Sequence, residues 1–535
     1  MSKLGKGKVQ LYDTTLRDGA QTEGISFSVT DKIRIAEKLD DLGIHYIEAG
    51  WPGANPKDIE VFERLKDKKL KSSRVVAFGS TRRPKTKPGR DKVLRGLVRA
   101  GTKVITIFGK SWDLHVKEIL RTSPEENLNM VRDSVAYLKS KGKEVIFDAE
   151  HFFDGYKSKP EYALSVLSAA KDGGADCIVL CDTNGGTLTS EVVEAVESIK
   201  DSGIDCLGVH MHNDSELAVA NSVAAVEAGC IHVQGTMNGL GERCGNANLT
   251  SIIPILKVKL GINTVSDRQL KSLTETSRFV AEASNMKQLS NQPFTGVSAF
   301  AHKAGVHVNA IIKNPVSYEH LRPELVGNRR RLLVSELSGK STVLRKAEEF
   351  KLDLKKDSPK AKKIIKTVQK LEHEGYQFES AEASFMLLMK RAMREFKSFF
   401  KLDGFRVIVE DDKKGRLVSE ATIKLRVGGK KEHTAAMGDG PVNALDSALR
   451  KALIDFYPSL EEMHLSDFKV RVLDEKAGTA AKVRVLIQSQ DERDSWWTIG
   501  VSENIIEASW LALVDSIEYK LLKKSSRRKV SSGKS

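Results

Sequence analysis

Long apolar runs are missing from this chain of 535 residues. No stretch approaches the roughly 18 apolar residues that a membrane helix needs, and the opening "MSKLGKGKVQLYD" lacks the apolar segment of a signal peptide. The expectation is a cytoplasmic protein with no membrane contact. Cysteine is scarce as well: Cys177, Cys181, Cys206, Cys230 and Cys244 are odd in number, fall in one stretch and show no Cys-x-x-Cys spacing. This excludes a disulfide framework or a zinc ribbon as the basis of the fold, and the cysteines are expected to be reduced, buried small residues. Positive charge, by contrast, is plentiful, at +15 net, and raises the question of nucleic acid. Much of that charge is dispersed, and the tail from Lys520 onward holds seven basic residues and no acid. A solvated, flexible tail over 524–535 accounts for it, so no nucleic-acid partner is expected.

The length calls for two or three domains. From residue 9, short β-branched runs alternate with amphipathic stretches. "VQLYDTT" precedes "TDKIRIAEKLDDLG", where Thr30 can cap a helix and Ile33, Ile35, Ala36, Leu39 and Leu42 form an apolar stripe. The pattern recurs through "HYIEAGW", "RVVAFGS", "KVITIFG", "EVIFDAE", "CIVLCDT", "CLGVHMH" and "HVQGTMN", each followed by a helical segment. Eight such units fill residues 8–265, close to the roughly 250 residues of a closed (β/α)₈ TIM barrel. Beyond it a mainly helical linker region is expected over 266–384. An α+β domain follows over 385–523, with an internal repeat: "HTAAMGDGPVNALDSAL" at 433 aligns without gaps on "WTIGVSENIIEASWLAL" at 497. Each copy follows strands such as "EATIKLRVGG" or "AKVRVLIQSQ", a βββα-type unit repeated.

A barrel places its active site at the C-terminal ends of its strands. Those ends carry Asp13 with Arg17 and Asp18, then Glu48, Ser80, Lys110, Glu150, Asp182 with Thr183 and Asn184, His210 with His212, and Asn238. In "GVHMHND" the two histidines are two residues apart, so they share a face, while Val209 and Met211 take the other. Two inward imidazoles are costly unless paired or metal-bound, and imidazole is the commonest metal ligand. Oxygen ligands are on offer from Asp18 in "TTLRDGAQ" and from Asn246 in "GLGERCGNANL", since strands one, seven and eight become neighbours on closure. Taken alone, Asp18 can simply pair with Arg17, and Asn246 can simply cap the last helix. The mixed N and O set without thiolate suits Zn²⁺, Mn²⁺, Co²⁺ or Mg²⁺. Asn213 and Asp214 are assigned to orienting the following loop.

"DTTLRDGAQ", "HMHND", "NGLGERCGNANL" and "AFAHKAGVHVNA" resemble the motif set of the 2-isopropylmalate, homocitrate and citramalate synthase family. "EAGWPGANPKD", "FGSTRRP", "TIFGKSWDLHV", "FDAEHFFDGY" and "CDTNGGTL" are most similar to its citramalate-forming, long-form branch. The resemblance implies an acyltransferase that condenses acetyl-CoA with pyruvate and water, on the pyruvate route to isoleucine. It implies a divalent metal held by Asp18, His210, His212 and Asn246, with Arg17 stabilising the growing alkoxide and Thr183 holding the 2-oxo acid carboxylate. Gln21 belongs to the same substrate site. It implies a base at Glu150, with His307 and Tyr318 assisting near the thioester; which of Glu150 and His307 takes the proton stays open. Selection of pyruvate is expected near Ser80, Phe108 and Asp148. One departure is Met211, where the branch usually carries a small residue; facing outward, it leaves the site untouched.

The repeat-containing end resembles the regulatory domain of 2-isopropylmalate synthases, which implies a homodimer and isoleucine as effector. A separate expectation for "STRRPKTKPGR", with Arg82 and Arg83, has two equal readings: it holds the CoA phosphates, or it is a solvated basic loop. The rival readings are a sister synthase acting on another 2-oxo acid, and a lyase or carboxyltransferase on the same barrel. No "AMKM"-like biotinylation motif is present to support a carboxyltransferase.

Overall fold

The computed structural model describes residues 9–53, 56–200, 202–333, 340–350, 352, 354, 359–411, 417–473, 481–491 and 494–531. They form two compact units, one of residues up to Phe300 together with His320–Arg330, the other of Ala301–Glu319 together with everything from Arg331.

The first unit is a closed eight-stranded parallel barrel: β1 Gln10–Asp13, β2 Tyr46–Gly50, β3 Arg74–Ser80, β4 Val104–Lys110, β5 Glu144–Glu150, β6 Cys177–Asp182, β7 Leu207–Met211 and β8 His232–Gly235. β1 closes it by pairing with β8 at Gln10↔His232 through Asp13↔Gly235. Side-chain parity sorts the core into two parts. Outward residues such as Leu11, Ile47, Ala77, Ile105, Phe147, Val209 and Met211 pack against the surrounding helices. Inward Tyr12, Tyr46, Val76, Val104, Ile146, Cys177, Val179 and Cys181 form a separate cluster, so the barrel is a filled core rather than a pore.

Three local features differ from the expectations. The first helix, Val29–Leu42, is capped by Ser28, not Thr30, in a reciprocal capping box with Asp31, and Gly43 ends it at φ 91°. A short helix, Phe152–Ser158, follows β5, launched by His151 at φ 57°. Cys177 and Cys206 are joined by a disulfide, Cys244 is exposed, and Cys181 and Cys230 are free and buried. Parallel pairing of β6 with β7 sets Ile178 beside Leu207, and so brings together two cysteines that spacing along the chain leaves 29 residues apart.

In the second unit, the helices Gly305–Lys313, Lys340–Glu349, Pro359–His373 and Glu382–Ala392 accompany a two-stranded pairing of β9 Ala301–His302 with β10 Arg331–Leu332. Two βββα modules follow. β11 Phe400–Asp411, β12 Leu417–Val427 and β13 Lys430–Gly438 lead to helix Pro441–Leu453; β14 His464–Val472, β15 Val483–Gln490 and β16 Ser495–Ser502 lead to helix Ile505–Ser531. The repeat extends to single bonds: Thr434 Oγ1 donates to the Ala448 carbonyl at 2.9 Å, and its counterpart Thr498 donates to Ala512 at 2.8 Å. Both sheets shift register at the same place, between Leu402 and Gly404 and between Leu465 and Asp467. The last helix continues to Ser531, into the segment expected as a flexible tail. No described helix is long and apolar enough to cross a membrane.

Candidate active site and metal centre

β7 delivers His210 and His212 to the barrel axis as its period-two pattern requires. Both are buried, at 5% and 7% exposure, with ring centroids 5.2 Å apart, while Val209 and Met211 are sealed against the helices. Asp18 enters from the turn after β1: its Oδ2 is 3.4 Å from His210 Nε2 and 3.3 Å from Arg17 Nη1. The donor atoms of Asp18, His210 and His212 all lie within 4.8 Å of one another.

Asn246 joins them through an antiparallel bridge to His212. The loop that carries it depends on Gly245, at φ 85°, where a Cβ would sit 1.9 Å from the Gly239 carbonyl oxygen. Asn246 is buried, yet neither atom of its amide has a hydrogen-bond partner, nor does His212 Nδ1. A buried amide without partners is expensive. Two imidazole nitrogens facing a carboxylate beside it form a donor set suited to a divalent cation.

The electrostatics part the two histidines: against the pull of burial, Asp18 raises His210, whereas His212 is lowered. Burial works to raise the Asp18 carboxyl, but Arg17 and the two histidines overcome it and hold the group far below the usual carboxylate range. Burial, reinforced by His210, lowers His212 to about 3, so its ring is neutral and its lone pair available. His210 is held upright by Gln234, whose Oε1 meets His210 Nδ1 at 2.9 Å while its Nε2 donates to Asp148 Oδ1 at 3.0 Å. The amide thus places the proton of His210 on Nδ1 and leaves Nε2 facing Asp18. Burial raises Asp148 to about 7.

Arg17 is fixed from three sides. Its Nε donates to Glu48 at 2.5 Å, Nη1 faces Asp18, and its guanidinium lies 3.8 Å from the Phe78 ring centroid. Glu48 in turn accepts from Thr14 and Tyr12. These groups surround a cavity of about 240 Å³ whose walls include Gln21, Trp51, Phe78, Phe108, Asp148, Glu150, Thr183 and Arg243. Trp51 meets Phe78 and Phe108 edge-on, with centroids 5.9 and 5.8 Å apart. Glu150 is paired with Lys110. Thr183 Oγ1 accepts from the His151 backbone N–H at 2.9 Å, leaving its own proton to donate.

The expected residues are gathered unevenly. Arg17, Asp18, Gln21, Phe108, Asp148, Glu150, Thr183, His210 and His212 share the cavity, whereas Ser80 donates its hydroxyl to the Thr81 carbonyl instead. His307 and Tyr318 belong to the second unit, where their rings stack 4.3 Å apart. Asp214 pairs in a bidentate fashion with Arg243, and Asn213 accepts from the Ala218 backbone N–H. The expected phosphate-binding role of Arg82 does not hold: its guanidinium is buried and committed to Glu126 and Asp133, each at 2.8 Å. Trp51, Phe78 and Gln234 were not foreseen. Strand parity signals two of them, since Phe78 and Gln234 occupy inward positions two residues from Ser80 and from His232, whereas Trp51 follows β2 and carries no such signal.

Comparison with known proteins defines the class first. The HMGL-like family matches residues 8–280, the barrel itself; a homocitrate synthase post-HMGL domain-like family matches 294–375 and the LeuA allosteric (dimerisation) domain 379–521. The (R)-citramalate synthase of Aquifex aeolicus is 57% identical over 518 residues, covering 96% of this chain and 98% of that one. That of Geobacter sulfurreducens is 58% identical with the same coverage. The 2-isopropylmalate synthase of Methanocaldococcus jannaschii is 31% identical, over 97% of this chain and 95% of its own. The chain belongs to the (R)-citramalate synthase family.

Proposed function

We propose that this chain condenses acetyl-CoA with pyruvate and water to give (R)-citramalate and CoA, as a step toward isoleucine in the cytoplasm. The observation that carries the reading is the convergence of Asp18, His210 and His212 within 4.8 Å at the barrel mouth, beside the unpartnered Asn246 amide. These four residues would hold a divalent cation. Bound there, such a cation would supply Lewis acidity toward a 2-oxo acid.

The chain's own groups do the rest. Arg17, immobilised by Glu48 and Phe78, presents a guanidinium that donates to the carbonyl oxygen of pyruvate as negative charge grows there. Thr183 has its acceptor side filled by the His151 amide and so donates its proton to the substrate carboxylate. Glu150, on the cavity wall and paired with Lys110, is positioned as the base for the acetyl methyl, with His307 as the alternative. Trp51, Phe78 and Phe108 close the cavity around a methyl group. Identity of 57–58% to (R)-citramalate synthases against 31% to a 2-isopropylmalate synthase favours pyruvate over a branched 2-oxo acid. The module matching the LeuA domain is assigned to homodimer formation and to isoleucine as effector.

The test is thiol release from acetyl-CoA with a panel of 2-oxo acids, before and after removal of metal by a chelator. Pyruvate is expected to give the highest kcat/KM, with turnover lost on chelation and restored by a divalent cation. Preference for another 2-oxo acid, or turnover unaffected by chelation, would overturn the reading.

A further inference from the structure

The opposite end of the barrel holds a second cluster. Cys177 opens β6, Cys206 immediately precedes β7, and His232 opens β8. The pairings Ile178↔Leu207 and Gly208↔His232 put them on three adjoining strands, at inward-facing positions. Their ligand atoms all lie within 4.8 Å of one another.

His232 is the telling member. It is fully buried, its Nδ1 faces Gln10 Oε1 at 3.3 Å, and its Nε2 has no partner. The amide oxygen of Gln10 can only accept, so Nδ1 carries the proton and Nε2 a lone pair without a partner. Burial keeps the ring neutral by lowering it to about 3. Gly208 makes the space: a Cβ there would lie 2.9 Å from His232 Cβ and Cδ2. Tyr12 and Tyr46 flank the imidazole, with centroids at 5.4 and 5.5 Å. A buried lone pair without a donor is a cost that a fold keeps for a reason.

We propose that Cys177, Cys206 and His232 form a redox-gated site for a soft cation such as Zn²⁺, closed by the disulfide and opened by its reduction. The reductant is a small-molecule thiol. Its thiolate attacks Cys206 Sγ, the partly exposed sulfur, and Cys177 leaves as thiolate. A second thiol then attacks the outer sulfur of the mixed disulfide, freeing Cys206 and giving the small-molecule disulfide. Two electrons pass from the two thiols to the protein. Two thiolates and one imidazole are then the Cys₂His donor set of three-ligand zinc sites, and binding Zn²⁺ releases the two thiol protons.

The experiment uses the full chain carrying Cys244→Ser, which removes the exposed free thiol. Samples oxidised and reduced with a small thiol, then freed of reagent, are titrated with Co²⁺ while absorbance and bound metal are measured. The Asp18, His210, His212 and Asn246 donor set contains no sulfur, but Cys181 lines its cavity, so the thiolate-to-cobalt charge-transfer band is assigned to the lower site by its loss in Cys206→Ser. The reduced chain is expected to bind one more equivalent of Co²⁺ than the oxidised chain and to show the band; Cys206→Ser should lose both. Equal stoichiometry in the two redox states without a band, or a band that survives in Cys206→Ser, overturns the proposal. The oxidised–reduced comparison decides even if that variant does not fold.

Discussion

Replacing Gln234 by Met keeps the volume of a fully buried side chain while removing both of its polar contacts. His210 Nδ1 loses its acceptor and Asp148 Oδ1 its donor, at about 1 to 3 kcal/mol for each buried partner left unsatisfied. Gln234→Met should therefore lower the unfolding free energy of the metal-free protein by about 2 to 6 kcal/mol, with the upper end reached when Asp148 is ionised. The more diagnostic effect is on metal. Without the amide, nothing fixes the proton of His210 on Nδ1, and the ring is free to turn Nε2 from Asp18. Loss of such an orienting bond typically costs tenfold to a hundredfold in affinity, or about 1.4 to 2.7 kcal/mol. Calorimetric titration of the metal-free variant with Mn²⁺ measures it, and urea unfolding measures the stability term. A folded Gln234→Met variant that binds Mn²⁺ within twofold of the wild type would refute the claim that this amide sets the histidine.

Three further outcomes follow from the same geometry. His212→Ala should abolish metal-dependent turnover in the thiol-release assay, whereas Met211→Ala, emptying a fully buried position on the opposite face, should cost about 2 to 5 kcal/mol in unfolding free energy and leave metal affinity unchanged. Arg82→Ala should leave the KM for acetyl-CoA unchanged while lowering stability by about 1 to 2 kcal/mol, a value discounted because Glu126 and Asp133 are partly exposed. Burial raises Asp13 from 3.8 to about 7. The folded state then keeps a proton that the unfolded chain releases, so this contribution is greatest below about pH 4 and is lost as pH rises to about 7, a span of about 4 kcal/mol. Asp13→Asn should flatten that part of the stability profile, followed by urea unfolding at stepped pH.

Much of the barrel was legible because its signals are local. Eight alternations of strand and helix, and the parity of His210 and His212, need only neighbours along the chain. The same parity argument sent Val209 and Met211 outward, where they are found. What escaped depends on register across strands. Gln234 bridges His210 and Asp148 because β5, β7 and β8 are aligned as they are, and the Cys177–Cys206 disulfide exists because β6 and β7 pair in one register rather than the next. The cap at Ser28 was misplaced by two residues because Thr30 is chemically as able; the capping box with Asp31 decides it. Arg82 was misread because a basic loop at an active face looks free until the helix bearing Glu126 and Asp133 is seen beneath it.

The aromatic wall and the donor cluster occupy different arcs of the barrel. Asp18, His210, His212 and Asn246 follow or belong to β1, β7 and β8, whereas Trp51, Phe78 and Phe108 follow or belong to β2, β3 and β4. The two arcs meet at one residue: Phe78 packs on the Arg17 guanidinium, so changes at Trp51 and Phe108 reshape the cavity away from the donors, whereas a change at Phe78 loosens the arginine as well.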